Sequence, residues 1–317
     1  MPTYIYTDDP LLPHWISKFV YIGRYYFKPM KPTYPRYHLN NFSGEEKESL
    51  FYMTRLQRLV KDFKGINKAH THSFYLVMWI TKGKGIHTID FKSYQVKGQQ
   101  LYFLTPGQVH GWEFSQDIEG YNLYFDYNFF QSRYPGRLLQ YPFFHSHQHK
   151  PILETDFDRN LTANLFDYAY AEYKVKRVQQ GEVFLSFLHI ILESANRLYQ
   201  QNLPIGDSTF YDRIMQYEGL IERHFIEIRD IKTYAALMNI SPNHLNHICK
   251  LVLGKTASQL YYDRMMIEAK RLLLHTELTI KEIGFQLRFE DPSYFVRFFK
   301  KHSQITPQEF RSRMTLV

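Results

Sequence analysis

The spacing of apolar residues changes along the chain, and the changes mark its parts. From Glu48 to about Phe130, short apolar runs alternate with turn residues. The runs are FYLVMWI (74–80), GIHTIDF (85–91) and QQLYFL (99–104), with KGKG at 82–85 and TPG at 105–107 among them. Short runs of β-branched and aromatic residues at this spacing predict the strands of a β-barrel or sandwich. Residues 131–152 read as a turn-rich bridge that contains HSHQH at 145–149. From Glu154 the period becomes helical. Phe157, Leu161, Leu165, Tyr168 and Tyr173 form one stripe, and Phe184, Leu188, Ile191, Leu192 and Leu198 form another after Gly181. Together they predict a helical hairpin whose apolar faces need a partner, either the strands beside it or a second copy. QQNLPIGD (200–207) reads as a linker, and everything beyond it is helical in pattern. Residues 1–45, rich in Pro and Tyr, predict an irregular extension. The expected fold class is α+β multidomain, divided at 1–152, 153–205 and 206–317.

The last part repeats itself. Pro242–Lys250 (PNHLNHICK) matches Pro292–Lys300 (PSYFVRFFK) at an offset of 50, and Thr256-Ala-Ser-Gln-Leu matches Thr306-Pro-Gln-Glu-Phe at the same offset. Upstream, residues from Ala235 align with those from Gly284 at an offset of 49. Each copy predicts a short helix, a tight turn and a second helix. Ser241 and Asp291 stand where they can cap the second helices, each followed by a proline suited to the first turn. The small Ala235 and Gly284 allow the paired helices to cross closely. Asn239 sits where the turn needs positive φ, which Asn tolerates; Arg288 holds the matching place and suits it less well.

Helical geometry then assigns faces. Leu245, Ile248, Cys249 and Val252 form a buried stripe, matched by Phe295, Phe298, Phe299 and His302. The opposite face carries Asn243, Asn246, His247 and Lys250 in the first copy and Ser293, Val296, Arg297 and Lys300 in the second. These side chains suit duplex DNA: Asn reads adenine, Arg grips guanine, Val touches a thymine methyl, and Lys clamps phosphate. A single such face is as readily an ordinary solvated surface; a matched pair argues for a nucleic-acid reader. Between the copies, Ala257–Leu274 predicts a helix about 27 Å long, close to the roughly 34 Å turn that separates two readers on one face of DNA.

Charge adds little to this. The chain of 317 residues carries 39 Lys+Arg against 31 Asp+Glu, a net +8, and residues 206–317 hold 16 and 13 of these. The balance suits a polyanionic partner, but placement, not bulk charge, makes the case. One cysteine, Cys249, excludes a disulfide framework within the chain. The start of the chain lacks a signal-peptide pattern, and no apolar run approaches the roughly 18–20 residues of a membrane span, so a cytoplasmic protein is expected. No Gly-rich phosphate loop or nucleophile elbow is present, and no enzymatic activity is expected.

Residues 208–315, most specifically Ile267–Arg311, closely resemble the AraC/XylS-type bacterial regulators; Gly284 and Arg288 stand where that family usually has Ala and Gly. The resemblance implies an all-α DNA-binding domain of two helix-turn-helix motifs joined by a linker helix, acting at promoters with RNA polymerase. His70-Thr-His72, Gly83-Lys-Gly85-Ile-His87 and Thr105–His110 resemble the cupin-type sensor domain that many of these regulators carry. That likeness implies a cupin-like β-barrel binding a small-molecule effector, and a hairpin that pairs subunits into a homodimer. Metal-binding cupins place a Glu where Leu76 stands here, so His70, His72 and His110 are expected as pocket residues without metal, and no cofactor is expected. Tyr75 and Trp79 are candidates for the same pocket wall, although core packing explains them equally well.

Overall fold

The structure, a computed structural model, describes residues 35–43, 49–63, 65–145, 149–154, 159–175, 177–201 and 208–315. Most of the expected irregular extension, the centre of HSHQH, Phe157, the side chain of Leu161 and linker residues 202–207 lie outside the described residues. The chain divides into two compact units, one ending at Ser208 and the other beginning at Thr209.

The N-terminal unit runs β1 (Arg36–Tyr37), α1 (Asn40–Ser43), β2 (Phe51–Arg55), α2 (Leu56–Asp62), β3 (Thr71–His72), β4 (Tyr75–Lys82), β5 (Gly85–Ile89), β6 (Lys92–Val96), β7 (Gln100–Leu104), β8 (His110–Phe114) and β9 (Glu119–Phe125). It continues with α3 (Tyr127–Gln131), two short 3-10 turns, β10 (Ile152–Glu154), and the hairpin α4 (Arg159–Val175) and α5 (Gln180–Gln201). The residues expected to be a turn-rich bridge thus run from the end of α3 through the two 3-10 turns to the start of an edge strand. Strands pair in the order β10-β7-β4-β9-β2 and β6-β5-β8, with β1 beside β3. Among the described residues these ladders do not close on one another. The strands expected to form a barrel thus make two facing sheets that share a core, and an isolated bridge pairs His70, just before β3, with His110 of β8.

β4 shows why the unit has three layers. It is the central strand of the five-stranded sheet, and its residues alternate between two buried faces. Leu76, Met78 and Ile80 point toward the three-stranded sheet and meet Ile89, Val96 and Trp112. Tyr75, Val77 and Trp79 point the other way, into a core closed by Leu165, Phe166 and Ala169 of α4 and by Phe184, Leu188, Ile191 and Leu192 of α5. The hairpin's inner stripe therefore packs on its own sheet. Tyr168 was expected in that stripe but is 62% exposed; Phe166 and Ala169 take its place. The hairpin is fastened at the sheet by Tyr121, whose hydroxyl donates to Asp167, and near its end by Arg137, which forms a bidentate pair with Glu193 at 2.6 and 2.7 Å.

The C-terminal unit is α6 (Ser208–His224), α7 (Ile231–Leu237), α8 (Pro242–Leu253), α9 (Ala257–His275), α10 (Ile280–Gln286), α11 (Pro292–Ser303) and α12 (Pro307–Thr315). The sequence repeat reappears as repeated capping. Ser241 accepts from the His244 N–H, and Asp291 from the Ser293 N–H. Thr256 and Thr306, 50 residues apart, each start a helix by exchanging hydrogen bonds with the residue three further on, Gln259 and Glu309. The α7–α8 and α10–α11 turns are also alike. Asn239 and Arg288 take φ of 54° and 55°. In each turn the next residue's N–H reaches back five positions, Ile240 to the Ala235 carbonyl (3.0 Å) and Phe289 to the Gly284 carbonyl (2.8 Å). This is the Schellman closure. A Cβ on Gly284 would meet the Phe295 Cβ at 3.3 Å, so the small residue permits the close crossing of α10 and α11. α9 is held by the buried Arg264, which pairs with Glu222 at 2.7 Å and Glu268 at 3.1 Å and lies over the Phe225 ring.

Four of the buried histidines of the N-terminal unit cluster together. His70, His72, His87 and His110 are at most 4% exposed. Burial penalises the charged imidazole, lowering His70 to about 4 and His72 and His87 to about 3, with His110 also well below its ordinary value.

The buried histidines make the stability of this unit depend on pH. An unfolded histidine takes up a proton near pH 6.5, whereas the folded unit refuses it until far lower pH. Between those values the unfolded state binds more protons, so stability rises with pH. The unit keeps its full stability above about pH 6.5 and loses it progressively toward pH 4. Trp79 and Trp112 are buried in this unit and the remaining tryptophan is Trp15, so in a Trp15→Phe variant fluorescence follows the unfolding of this unit alone; an equal denaturant midpoint at about pH 7.5 and pH 5 would contradict the assignment. The left-handed turn of the C-terminal unit is open to measurement as well. Arg288 is exposed and pays the steric cost of a left-handed residue, so Arg288→Gly should stabilise that unit by about 0.5–1 kcal/mol. Denaturation followed by far-ultraviolet circular dichroism measures this, and a loss of stability would refute it.

Candidate nucleic-acid interface and interior site

Each second helix turns one face inward. On α8, Leu245, Ile248 and Cys249 are buried and Val252 is partly so. Burial pushes the Cys249 thiol up to about 12. On α11, Phe295 and Phe299 are buried and Phe298 is partly buried. His302, expected in that stripe, is exposed. It sits at the margin, with its ring 4.7 Å from Phe298 and 4.8 Å from Tyr262 of α9. Its neighbours, two aromatic rings and not the core, account for its position, and partial burial together with Lys301 lowers its pKa.

The outward faces match position by position. On α8, Asn243, His247 and Lys250 are exposed; on α11, Ser293, Arg297 and Lys300 are exposed at the same offset of 50. Asn246 and Val296 occupy the edge of each face and are half-buried. Asn246 is already engaged within the unit, where its Oδ1 accepts from the Ala257 N–H at 3.2 Å and ties α8 to the start of α9. Pattern alone missed four further members of these faces. They are His244 and Leu251 on α8, and Tyr294 and Lys301 on α11, all exposed. The sequence signal was present, since each lies within about one helical turn of His247 or Arg297; Leu251 and Tyr294 do not announce themselves as surface because such side chains are usually core. Arg297 and Lys300 have no carboxylate within ion-pair distance among the described pairs. The α8 and α11 faces thus present hydrogen-bonding and cationic groups on rigid, capped helices.

The interior site of the N-terminal unit brings His70, His72 and His110 to one small cavity, walled also by Phe74, Trp112 and Tyr124. It measures about 10 Å³, room for roughly one water molecule. His70 Nδ1 lies 2.8 Å from the Lys68 carbonyl and His72 Nδ1 2.6 Å from that of Phe74. A carbonyl only accepts, so both rings donate from Nδ1 and keep a lone pair on Nε2. His110 Nδ1 is 3.1 Å from His87 Nε2. His72 Nε2, His110 Nε2, His87 Nδ1 and Trp112 Nε1 are buried and without a hydrogen-bond partner among the described residues. Among those residues no group of three or more His, Cys, Asp or Glu is disposed to hold a metal ion. Tyr75 and Trp79 do not share this cavity. They lie on the opposite face of β4, packed against Phe125 and Phe144 and against Tyr121 and Phe166 respectively. The cause is the strand's two-residue period: odd-numbered residues of β4 face the hairpin. No described helix is long and apolar enough to cross a membrane.

Two family models match the chain. Residues 234–313 match a helix-turn-helix domain and residues 64–153 an AraC-like ligand-binding domain, together more than half of the chain. The chain is 24% identical over 249 residues to the arabinose operon regulatory protein of Salmonella typhimurium, covering 75% of this chain and 83% of that protein. It is 23% identical over 248 residues to the transcriptional activator RhaS of an Enterobacter species, covering 76% and 86%. Among solved structures it is similar to ToxT of Vibrio cholerae, with a TM-score of 0.41 and 14% identity over 83% of this chain and 98% of that one. A matching ligand-binding module and a matching helix-turn-helix module, in that order along one chain, make this protein a member of the AraC/XylS-type family of DNA-binding transcription regulators.

Proposed function

We propose that this regulator reads two successive major-groove segments of promoter double-stranded DNA with α8 and α11, under the control of a small effector taken up by a cupin-like N-terminal sensor. One observation carries the proposal: two capped helices, preceded by the same left-handed turn, expose hydrogen-bonding and basic residues at positions 50 apart. In a helix-turn-helix the second helix enters the major groove and the first crosses the backbone. His247 and Arg297 stand at the centre of the two exposed arcs and are the principal base readers. Asn243, Ser293 and Val296 assist them, Lys250 and Lys300 hold phosphates, and Asn246 acts mainly through its bond to Ala257. α9, 19 residues and about 28 Å long, spaces the readers by close to one turn of DNA. The two faces differ in chemistry, so the two half-sites met by one molecule differ in sequence.

The unpaired ring nitrogens of His72, His110 and Trp112, three side chains that wall the inner cavity, support the sensor role. The surrounding imidazoles are neutral at neutral pH, so the group they take up is uncharged and polar, and its binding requires the cavity to widen. The outer face of the hairpin carries Val183, Phe187 and Ile190 at helical spacing, with Tyr168 stacked 6.5 Å from Phe187, and suits pairing of two copies into a homodimer. The protein acts by binding and not by catalysis, in the cytoplasm, and communicates with RNA polymerase at the promoter.

The test is binding to sequences selected by the full-length protein from a random duplex library. Arg297→Ala and His247→Ala should each erase base preference at one position and cost about 1–3 kcal/mol there. Lys250→Ala and Lys300→Ala should weaken binding to all sequences alike and lower the salt dependence by about one counterion each. If the arginine and histidine variants selected the same sequence as the parent with equal affinity, α8 and α11 would not be the readers.

A further inference from the structure

Among the described residues of the C-terminal unit, the exposed large hydrophobic side chains are Leu251 and Tyr294, one on each reading helix. Leu251 lies toward the end of α8. Tyr294 is the third residue of α11, in the part of a recognition helix that contacts base edges. It is 55% exposed. An exposed tyrosine is normally free to swing, but this one is backed on one side. Its ring is 5.8 Å from the buried Phe289 ring. Phe289 is itself pinned by the Arg229 guanidinium, 4.4 Å above it, while Arg229 donates to the Leu287 carbonyl in the turn. On the reading face of α11, the Arg297 guanidinium carbon lies 5.9 Å from the centre of the Tyr294 ring. A column of cation, ring, ring and cation thus runs from the α6–α7 connection, through the α10–α11 turn, to the tip of the base reader.

We infer that Tyr294 is a positioning residue for Arg297: its backed ring holds the guanidinium plane in the pose that grips one guanine. This rests on Arg297 reading a base and adds how its specificity is set. Guanidinium groups stack well on aromatic faces. Arg has many rotamers, and ordering them at the moment of binding weakens discrimination, because only the correctly posed fork meets guanine O6 and N7 together. A ring already fixed by Phe289 supplies that order in advance. α8 has no such device: the residue equivalent to Arg297 is His247, a short ring that needs none.

The experiment uses the full-length protein and duplexes it selects from a random library. Arg297→Ala identifies the position at which guanine preference disappears. At that position, replacing guanine with 7-deazaguanine removes the N7 acceptor and should weaken the parent protein about fivefold or more. Tyr294→Ala should lower preference for guanine there by about two- to fivefold and shrink the 7-deazaguanine penalty, leaving preference at all other positions intact. Tyr294→Phe, which keeps the ring, should retain parental behaviour. Circular dichroism and melting check that both variants fold. An unchanged 7-deazaguanine penalty in a folded Tyr294→Ala overturns the inference, as does a loss of affinity spread evenly over all sequences. If Arg297→Ala itself leaves the selected sequence unchanged, the failure lies earlier, in the assignment of α11 as a base reader.

Discussion

A single left-handed residue in each helix pair governs the C-terminal unit. With φ near 55° at Asn239 and Arg288, the chain leaves one helix and enters the next at a fixed angle, sealed by the backbone bond that reaches back five residues. Every side chain on α8 and α11 inherits this angle: which residues point inward, which face out, and where the caps fall. The constraint is purely conformational, and the second copy meets it with a residue that resists it. That Arg288 is nevertheless held there, under a phenylalanine pinned by Arg229, indicates how strongly the surrounding contacts over-determine the turn. The extra residue in the second copy falls upstream of its cap and leaves the exposed face in step with the first.

Much of this was legible in the sequence because helices advertise themselves through periodicity. Leu245, Ile248, Cys249, Phe295 and Phe299 fall on a stripe and are buried; Ser241 and Asp291 stand at cap positions and accept the expected bonds. The failures share a cause. Angular position says which side of a helix a residue occupies, but not what the neighbouring element offers it. Asn246 has the look of a reader, yet the start of α9 supplies it with a backbone donor. His302 and Tyr168 sit on apolar arcs, yet no core reaches them. In the strands the signal is weaker still. β4 reads as one unbroken apolar run because both faces are covered, and that continuity conceals which of its residues share a pocket with the histidines. Tyr75 and Trp79 are separated from them by nothing more than parity. Sheet closure is a long-range property that no local pattern encodes, and among the described residues the ladders remain apart.

The N-terminal unit combines two unlike interiors around one strand layer. The side toward the hairpin is crowded with stacked rings, such as Phe103 against Phe143 at 3.9 Å and Phe51 against Phe184 at 4.4 Å. The side toward the smaller sheet holds neutral histidines with unmet hydrogen-bonding capacity. The first arrangement favours rigidity; the second leaves free energy that a suitable guest can recover, since each unpaired buried polar group costs about 1–3 kcal/mol. The histidine side is thus separated by one strand-thickness from a stiff aromatic layer continuous with the helical hairpin.

The position of Cys249 gives the C-terminal unit a built-in clock. It is the one thiol in the chain, buried on the inner face of α8, and its pKa near 12 leaves almost no thiolate at neutral pH. A thiol reagent reaches it only when α8 lifts from its partners, so the rate of modification counts the openings of that helix. Ordinary oxidants are held off by the same burial, so α8 keeps its fold under oxidising conditions without a second cysteine to partner it.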